Sequence, residues 1–385
     1  MQTRTRNALV IAGVSAVAIA AGAWIWRERQ TPERTPNALD AIPNDAMLVA
    51  TADLGALRRS GAAAPLLSET REIPGLGPVR QVCGFDPLAN LTEIAVAVPA
   101  SGDSGELGLV AAGAIDDEAL LACASKVIEA RGGRSVVNTI GTFRTVRDAT
   151  MSTSGAEIAV RKGGPVLLGA GTYLRAMIDT ADGHVPSIQG DPAHARLAGE
   201  VGAGSVRVTV VLTPEQRRTL AEELAASGAQ GSPAGAVTGI GLSVTLGARV
   251  DLHGVVACDA AKACAELSGV LDGKRAAGAD DMLVRLVGIG AVLERMRITP
   301  TGDRIHARVD MATDEATTLI ERILALRAAS RRGDDERPRR PREEPAPPPP
   351  DTVVQPGEGA ERGAADDGAQ KKKKAAPKDE PSRQR

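Results

Sequence analysis

An unbroken apolar run from Ala8 to Trp26 (ALVIAGVSAVAIAAGAWIW) constrains this chain more than any other feature, because nineteen residues without a charge suit hydrocarbon better than water. At a rise of about 1.5 Å per residue the run is long enough to cross a hydrocarbon core of roughly 30 Å as one helix. Arg4 and Arg6 precede it, Arg27 and Arg29 follow it, and Trp24 and Trp26 lie at its far end, where indoles favour the membrane interface. The run exceeds the roughly 7–15 apolar residues usual in a signal peptide, which favours a retained transmembrane anchor with residues 1–7 in the cytoplasm. Cleavage at Ala18-Ile19-Ala20 or Ala21-Gly22-Ala23 is the alternative and would release a secreted body. The expected setting is the bacterial inner membrane, crossed once, with the bulk of the chain periplasmic.

Behind the run, 27–44 carries prolines and no apolar periodicity, as a linker does. Strands are expected over 47–52, 94–98 and 107–115, with a helix over 54–67, and another from Asp116 to about Arg131. Further strands fall near 142–147, 157–161 and 166–168, followed by a helix over 172–180. After a Pro/Gly-containing linker at 183–204, the second half opens with a strand over 206–212. Thr213-Pro214-Glu215 then supplies an N-cap, a proline at the first helical position and an acid in the first turn. Strands over 237–246 and 249–257, helices over 259–271 and 282–293, a hairpin of 297–299 with 304–311, and a helix from Thr313 to about Ala329 complete it.

A shift of 141 residues superposes Leu109 on Val250, Gly113 on Gly254 and Cys123 on Cys264 with strand parity kept. The fold class read from this pattern is α+β, with two tandem similar units at 45–182 and 205–329. Hairpins point to mainly antiparallel sheets with helices on one face. From 330 to 385 the tetraproline Pro347 to Pro350, the tetralysine Lys371 to Lys374 and scattered acids leave almost no large apolar side chain, so a disordered tail is expected. Lys371 to Lys374 offer a contact for an anionic envelope polymer, or merely solvation.

A formal charge of -2 supplies no basic field for nucleic acid. Outside the apolar run only Phe85, Phe143 and Tyr173 are aromatic, too few for stacking sugars or bases. Cys83, Cys123, Cys258 and Cys264 are an even number in a chain assigned to an oxidising compartment, so they are candidate disulfides, with Cys83–Cys123 and Cys258–Cys264 the first pairing to test. No C-x2-C or H-x3-H spacing suggests zinc.

Catalytic motifs fail on inspection. Gly241 to Thr245 lacks the last glycine of a nucleophile elbow and lies within a strand. Gly269 to Arg275 is one residue short of a phosphate loop, and Leu174 replaces the third glycine of a dinucleotide fingerprint begun by Gly169 and Gly171. Asp116, Asp117, Glu118, Asp259, Asp314 and Glu315 fall at expected helix starts and read as caps. Asp251 and His253 share one strand face; Arg304, His306, Arg308 and Asp310 share another. If those strands are neighbours, His253 and His306 meet on a polar sheet face, where a metal or proton-transfer site is the sharper reading and a solvated face the plainer one. His184 and His194 lie in an expected loop without a readable partner.

These observations imply no cofactor and no catalytic residue. They lead to the expectation of a membrane-anchored envelope binding or scaffolding protein whose sheet edges and apolar helix faces meet a protein partner. An unfamiliar hydrolase with a cleft between the halves, and an inner-membrane transport or assembly accessory, are the alternatives.

Overall fold

The structure, a computed structural model, describes residues 37–68, 72–73, 76–100, 106–151, 155–226 and 233–335. The segment from Ala8 to Trp26, most of the expected tail and Lys371 to Lys374 lie outside the described residues. Among the described residues no helix is long and apolar enough to cross a membrane.

A short 3-10 helix, Ala38–Ala41, leads into strand β1 (Ala46–Asp53). Helix α1 (Leu54–Arg59), a 3-10 turn at Gly61–Ala63 and α2 (Ala64–Ser68) replace the single helix expected over 54–67. The break is at Ser60, whose backbone is extended, and Pro65 has no N–H to continue the ladder to Gly61. A two-residue hairpin, β2 (Glu72–Ile73) with β3 (Gly77–Pro78), precedes α3 (Val79–Cys83). Strands β4 (Leu91–Pro99) and β5 (Gly108–Gly113) form the expected antiparallel pair. Helix α4 (Asp117–Ala130) starts at Asp116, whose carboxylate accepts from the Ala119 amide at 3.0 Å. Four strands follow: β6 (Ser135–Ile140), which was not expected, β7 (Phe143–Asp148), β8 (Ala156–Val160) and β9 (Val166–Ala170). Helix α5 (Gly171–Ala181) closes the half.

The stretch 183–204 is not merely a linker. Asp191 caps helix α6 (Pro192–Val201), accepting from the amides of Ala193 and His194, and the helix buries His194, Leu197 and Val201. Beyond it come β10 (Val206–Val211), α7 (Pro214–Ala226), β11 (Val237–Leu246) and β12 (Arg249–Cys258). Thr213 and Gln216 exchange side-chain-to-amide bonds at the start of α7, a capping box. Helix α8 (Ala261–Asp280) runs well past its expected end at 271. Its N-cap is Ala260; Asp259, expected as a cap, instead faces Arg217 at 3.6 Å. Gly288, at φ 93°, splits the apolar stretch expected as one helix into α9 (Met282–Val287) and α10 (Ile289–Arg295). The hairpin β13 (Arg297–Thr301) and β14 (Arg304–Ala312) leads to α11 (Thr313–Asp335), which continues through residues assigned to the tail.

All strands except β2 and β3 join one antiparallel sheet in the order β13-β14-β12-β11-β10-β1-β4-β5-β9-β8-β7-β6. The two halves therefore share a sheet, joined at the β1–β10 seam, where Leu48 pairs with Val210 and Ala50 with Val208. Outward from the seam the strands run β1, β4, β5 on one side and β10, β11, β12 on the other. Helices cover both faces rather than one. On one face α5 packs Tyr173, Leu174, Met177 and Ile178 against Phe143, Val110 and Leu167. On the other, α4 covers Val146 and Val160, while α8, α10 and α11 cover the second half. Cys83–Cys123 ties α3 to α4 and Cys258–Cys264 ties β12 to α8, with Cα separations of 4.8 and 5.6 Å.

Candidate functional site

Helix α6 lies on the same face as α5, seated on β10, β11 and β12. Glycine makes that close approach possible: a Cβ on Gly239 would stand 2.9 Å from Leu197 Cδ1, and one on Gly241 2.8 Å from Val201 Cγ1. Side chains beside these glycines hold the helix end. Ser243 donates to the Val201 carbonyl at 2.8 Å, His253 Nδ1 lies 3.2 Å from the same oxygen, and Arg304 reaches Glu200 at 2.8 Å. Ser243, the serine of the rejected elbow, is thus buried as a helix-end donor.

Beyond α6 the same face is open, and alternate residues of β12, β14 and β13 form rows across it. Asp251 faces Asp310; His253 faces Arg308, which faces Arg297; Val255 faces His306, which faces Thr299. The sequence placed His253 and His306 on faces that would meet only if the strands were neighbours. They are, and the imidazoles stack with centroids 5.6 Å apart and His253 Nε2 3.3 Å from His306 Nδ1. The Val201 carbonyl can only accept, so His253 Nδ1 carries a proton and donates. Nε2 of the neutral ring then accepts from His306 Nδ1–H. Burial holds His253 below its ordinary value, and the charges of Arg308 and His306 act the same way, against the bond to Val201. Both rings are thus engaged in positioning, and the pair lies on β12 and β14 within the second half, not in a cleft between halves.

The groove over these rows encloses about 790 Å³ and is lined by Asp251, His253, Arg297, Thr299, His306 and Arg308 among others. Arg297 and Thr299 were missed from the sequence, although the 297–311 hairpin and its parity place them beside Arg308 and His306. Among the described residues no group of three or more His, Cys, Asp and Glu side chains converges as a metal site would require. His184 is exposed in its loop, whereas His194 sits on α6, beside a cavity of about 310 Å³ at the seam. On the opposite face a wholly apolar cavity of about 240 Å³ is lined by Leu57, Ala63, Leu66, Val206, Leu252 and Leu319 among others.

No family model matches the chain, and no curated protein matches it. Among solved structures it is similar to TP0453 in crystal form I, at 9% identity and a TM-score of 0.41, over 75% of this chain and 98% of that one. Against crystal form III the identity is 10% and the TM-score 0.43, over 74% of this chain and 97% of that one. A likeness this remote carries no argument about function.

Proposed function

We propose that this chain is a non-enzymatic binding protein of the cell envelope, held at the membrane by Ala8 to Trp26, that recruits a protein partner by adding the partner's extended segment to the β6 edge of its sheet. The two disulfides fit an extracytoplasmic setting.

The observation that carries the reading is the contrast between the two sheet edges. A free edge offers unpaired N–H and C=O groups, and proteins that avoid association blunt it with charge or proline. At one end β13 carries Arg297 and Pro300. At the other end β6, SVVNTI, has neither a charge nor a proline, pairs among the described residues only with β7, and leaves Val137 49% exposed. Strand addition there supplies main-chain hydrogen bonds for affinity and alternate side chains for selection. Helix α9 gives further support as a second apolar contact, with Met282, Leu283 and Leu286 at 83%, 71% and 75% exposure.

The test is photo-crosslinking from Thr139 in intact membranes, with the same label at Thr299 on the opposite edge as control. A discrete protein adduct from Thr139 alone, lost on Val137→Lys, is expected. No adduct, or the same adducts from both edges, would overturn the reading. A second reading, capture of an aliphatic chain, is favoured by the apolar cavity bounded by Leu252 and Leu319; displacement of a fluorescent fatty acid that survives Leu252→Gln would eliminate it.

A further inference from the structure

Five arginines gather around the open groove, and three have carboxylate partners. Arg249 pairs with Asp310, Arg295 with Glu315, and Arg304 with both Glu200 and Asp303. Arg297 and Arg308 have no ion-pair partner among the described residues, yet the register sets them directly opposite one another. Like charges directly opposite across a strand pair are destabilising. Hydroxyl donors lie next to them: Thr299 is in the following row, beside His306, and Thr301 in the one after, beside Arg304. The carboxylates of Asp251 and Asp310 lie at the other side, paired with each other in the register. The groove is therefore electrically uneven, with two uncompensated guanidiniums and hydroxyl donors at one end.

We propose that Arg297 and Arg308, with the Thr299 hydroxyl, bind an oxyanion of the phosphate class. Guanidinium forks match the oxygens of phosphate two at a time, and the Thr299 hydroxyl supplies a donor from a further direction, as a tetrahedral anion needs. Bound anion relieves the Arg297–Arg308 repulsion. The same chemistry is offered by a soluble phosphate monoester and by the phosphodiester of a lipid headgroup. This site is on the β13 side of the sheet, so it stands or falls independently of the β6 edge.

Titration calorimetry on the full chain in neutral detergent tests it, with inorganic phosphate, glycerol 3-phosphate and glycerophosphoglycerol as probes. One saturable site for phosphate is expected, weakened tenfold or more in the Arg297→Gln, Arg308→Gln double variant and unchanged in Lys262→Gln, a lysine on α8. In phosphate-free buffer the double variant is expected to melt no lower than the parent, and phosphate should raise the melting temperature of the parent only. Binding of the diester headgroup identifies a lipid source, whereas binding of the monoester alone identifies a soluble one. Absence of saturable phosphate binding, or equal binding by parent and double variant, would overturn the proposal.

Discussion

His194 is buried at the junction of the two halves, 6% exposed, and its loss should be felt by the whole sheet. Its Nε2 is 2.9 Å from the Ala46 carbonyl on β1 and its Nδ1 is 2.8 Å from the Thr209 hydroxyl on β10. A carbonyl only accepts, so Nε2 carries the hydrogen, and the neutral ring's Nδ1 takes the Thr209 proton. Replacing His194 by alanine leaves the Ala46 carbonyl and the Thr209 hydroxyl buried without their partner, at about 1–3 kcal/mol each. Because the cavity of about 310 Å³ beside the ring admits water, each penalty is held to about 1.5 kcal/mol, in the lower half of its range. The total is about 3 kcal/mol, read as a lower urea midpoint at pH 8 with an unchanged slope. Thr209→Val in the same background should recover part of the loss, since it removes the stranded hydroxyl. Burial also holds His194 below its ordinary value, against the Ala46 bond and Asp191. The unfolded chain then binds the proton more readily, so this contribution is complete above the unfolded value of about 6.5 and is lost as pH falls below it. Its slope cannot exceed about 1.4 kcal/mol per pH unit. Because His253 and the carboxylates contribute slopes of their own, the quantity to compare is the difference between parent and His194→Ala, which should shrink from pH 7 to pH 5.5. A loss under 1 kcal/mol, or a difference that does not change with pH, would refute the reasoning.

Two other perturbations have defined outcomes. In the chain-entropy account, removing the Cys83–Cys123 bond, which spans 40 residues, should cost about 4 kcal/mol, and removing Cys258–Cys264, spanning 6, about 2 kcal/mol. Urea unfolding of the Cys83→Ser, Cys123→Ser and Cys258→Ser, Cys264→Ser pairs gives the order, and a larger loss from the second pair would contradict it. Gly241→Val places its side chain against Val201 and the Leu197 carbonyl, so α6 must lift off β11 at about 2 kcal/mol. That change should also release His253 from the Val201 carbonyl, visible as a shift of its ring resonances, and unchanged resonances would count against the tie.

Much of the fold is legible where one signal dominates. The hairpins β4–β5, β11–β12 and β13–β14 follow from alternating runs bounded by turn residues, and Asp116, Thr213 and Asp314 mark helix starts by side-chain chemistry. Helix α6 is hidden because Pro192 reads as a loop residue, although Asp191-Pro192 is a cap followed by a proline at the first helical position. Strand β6 escapes because Ser135, Asn138 and Thr139 blur any apolar period, the same polarity that suits an edge. The joining of the halves was not legible at all, since nothing local in β1 or β10 names its partner across 150 residues of chain. Parity on 304–311 reveals the groove's residues in part; Arg297 and Thr299 are less legible, because only the register of β13 on β14 brings them beside Arg308 and His306.

The contrast between the β6 and β13 edges depends on the two halves forming one sheet, since separate bodies would leave β1 and β10 as further free edges. Native-state hydrogen exchange on the full chain measures that seam directly. If it is continuous, the amides of Val49 and Thr209, which face each other across the seam, exchange only with global unfolding, as slowly as those of β4 and β11. Exchange at the seam through a lower-energy opening, with β4 and β11 still protected, would show two separately folding bodies and contradict the account.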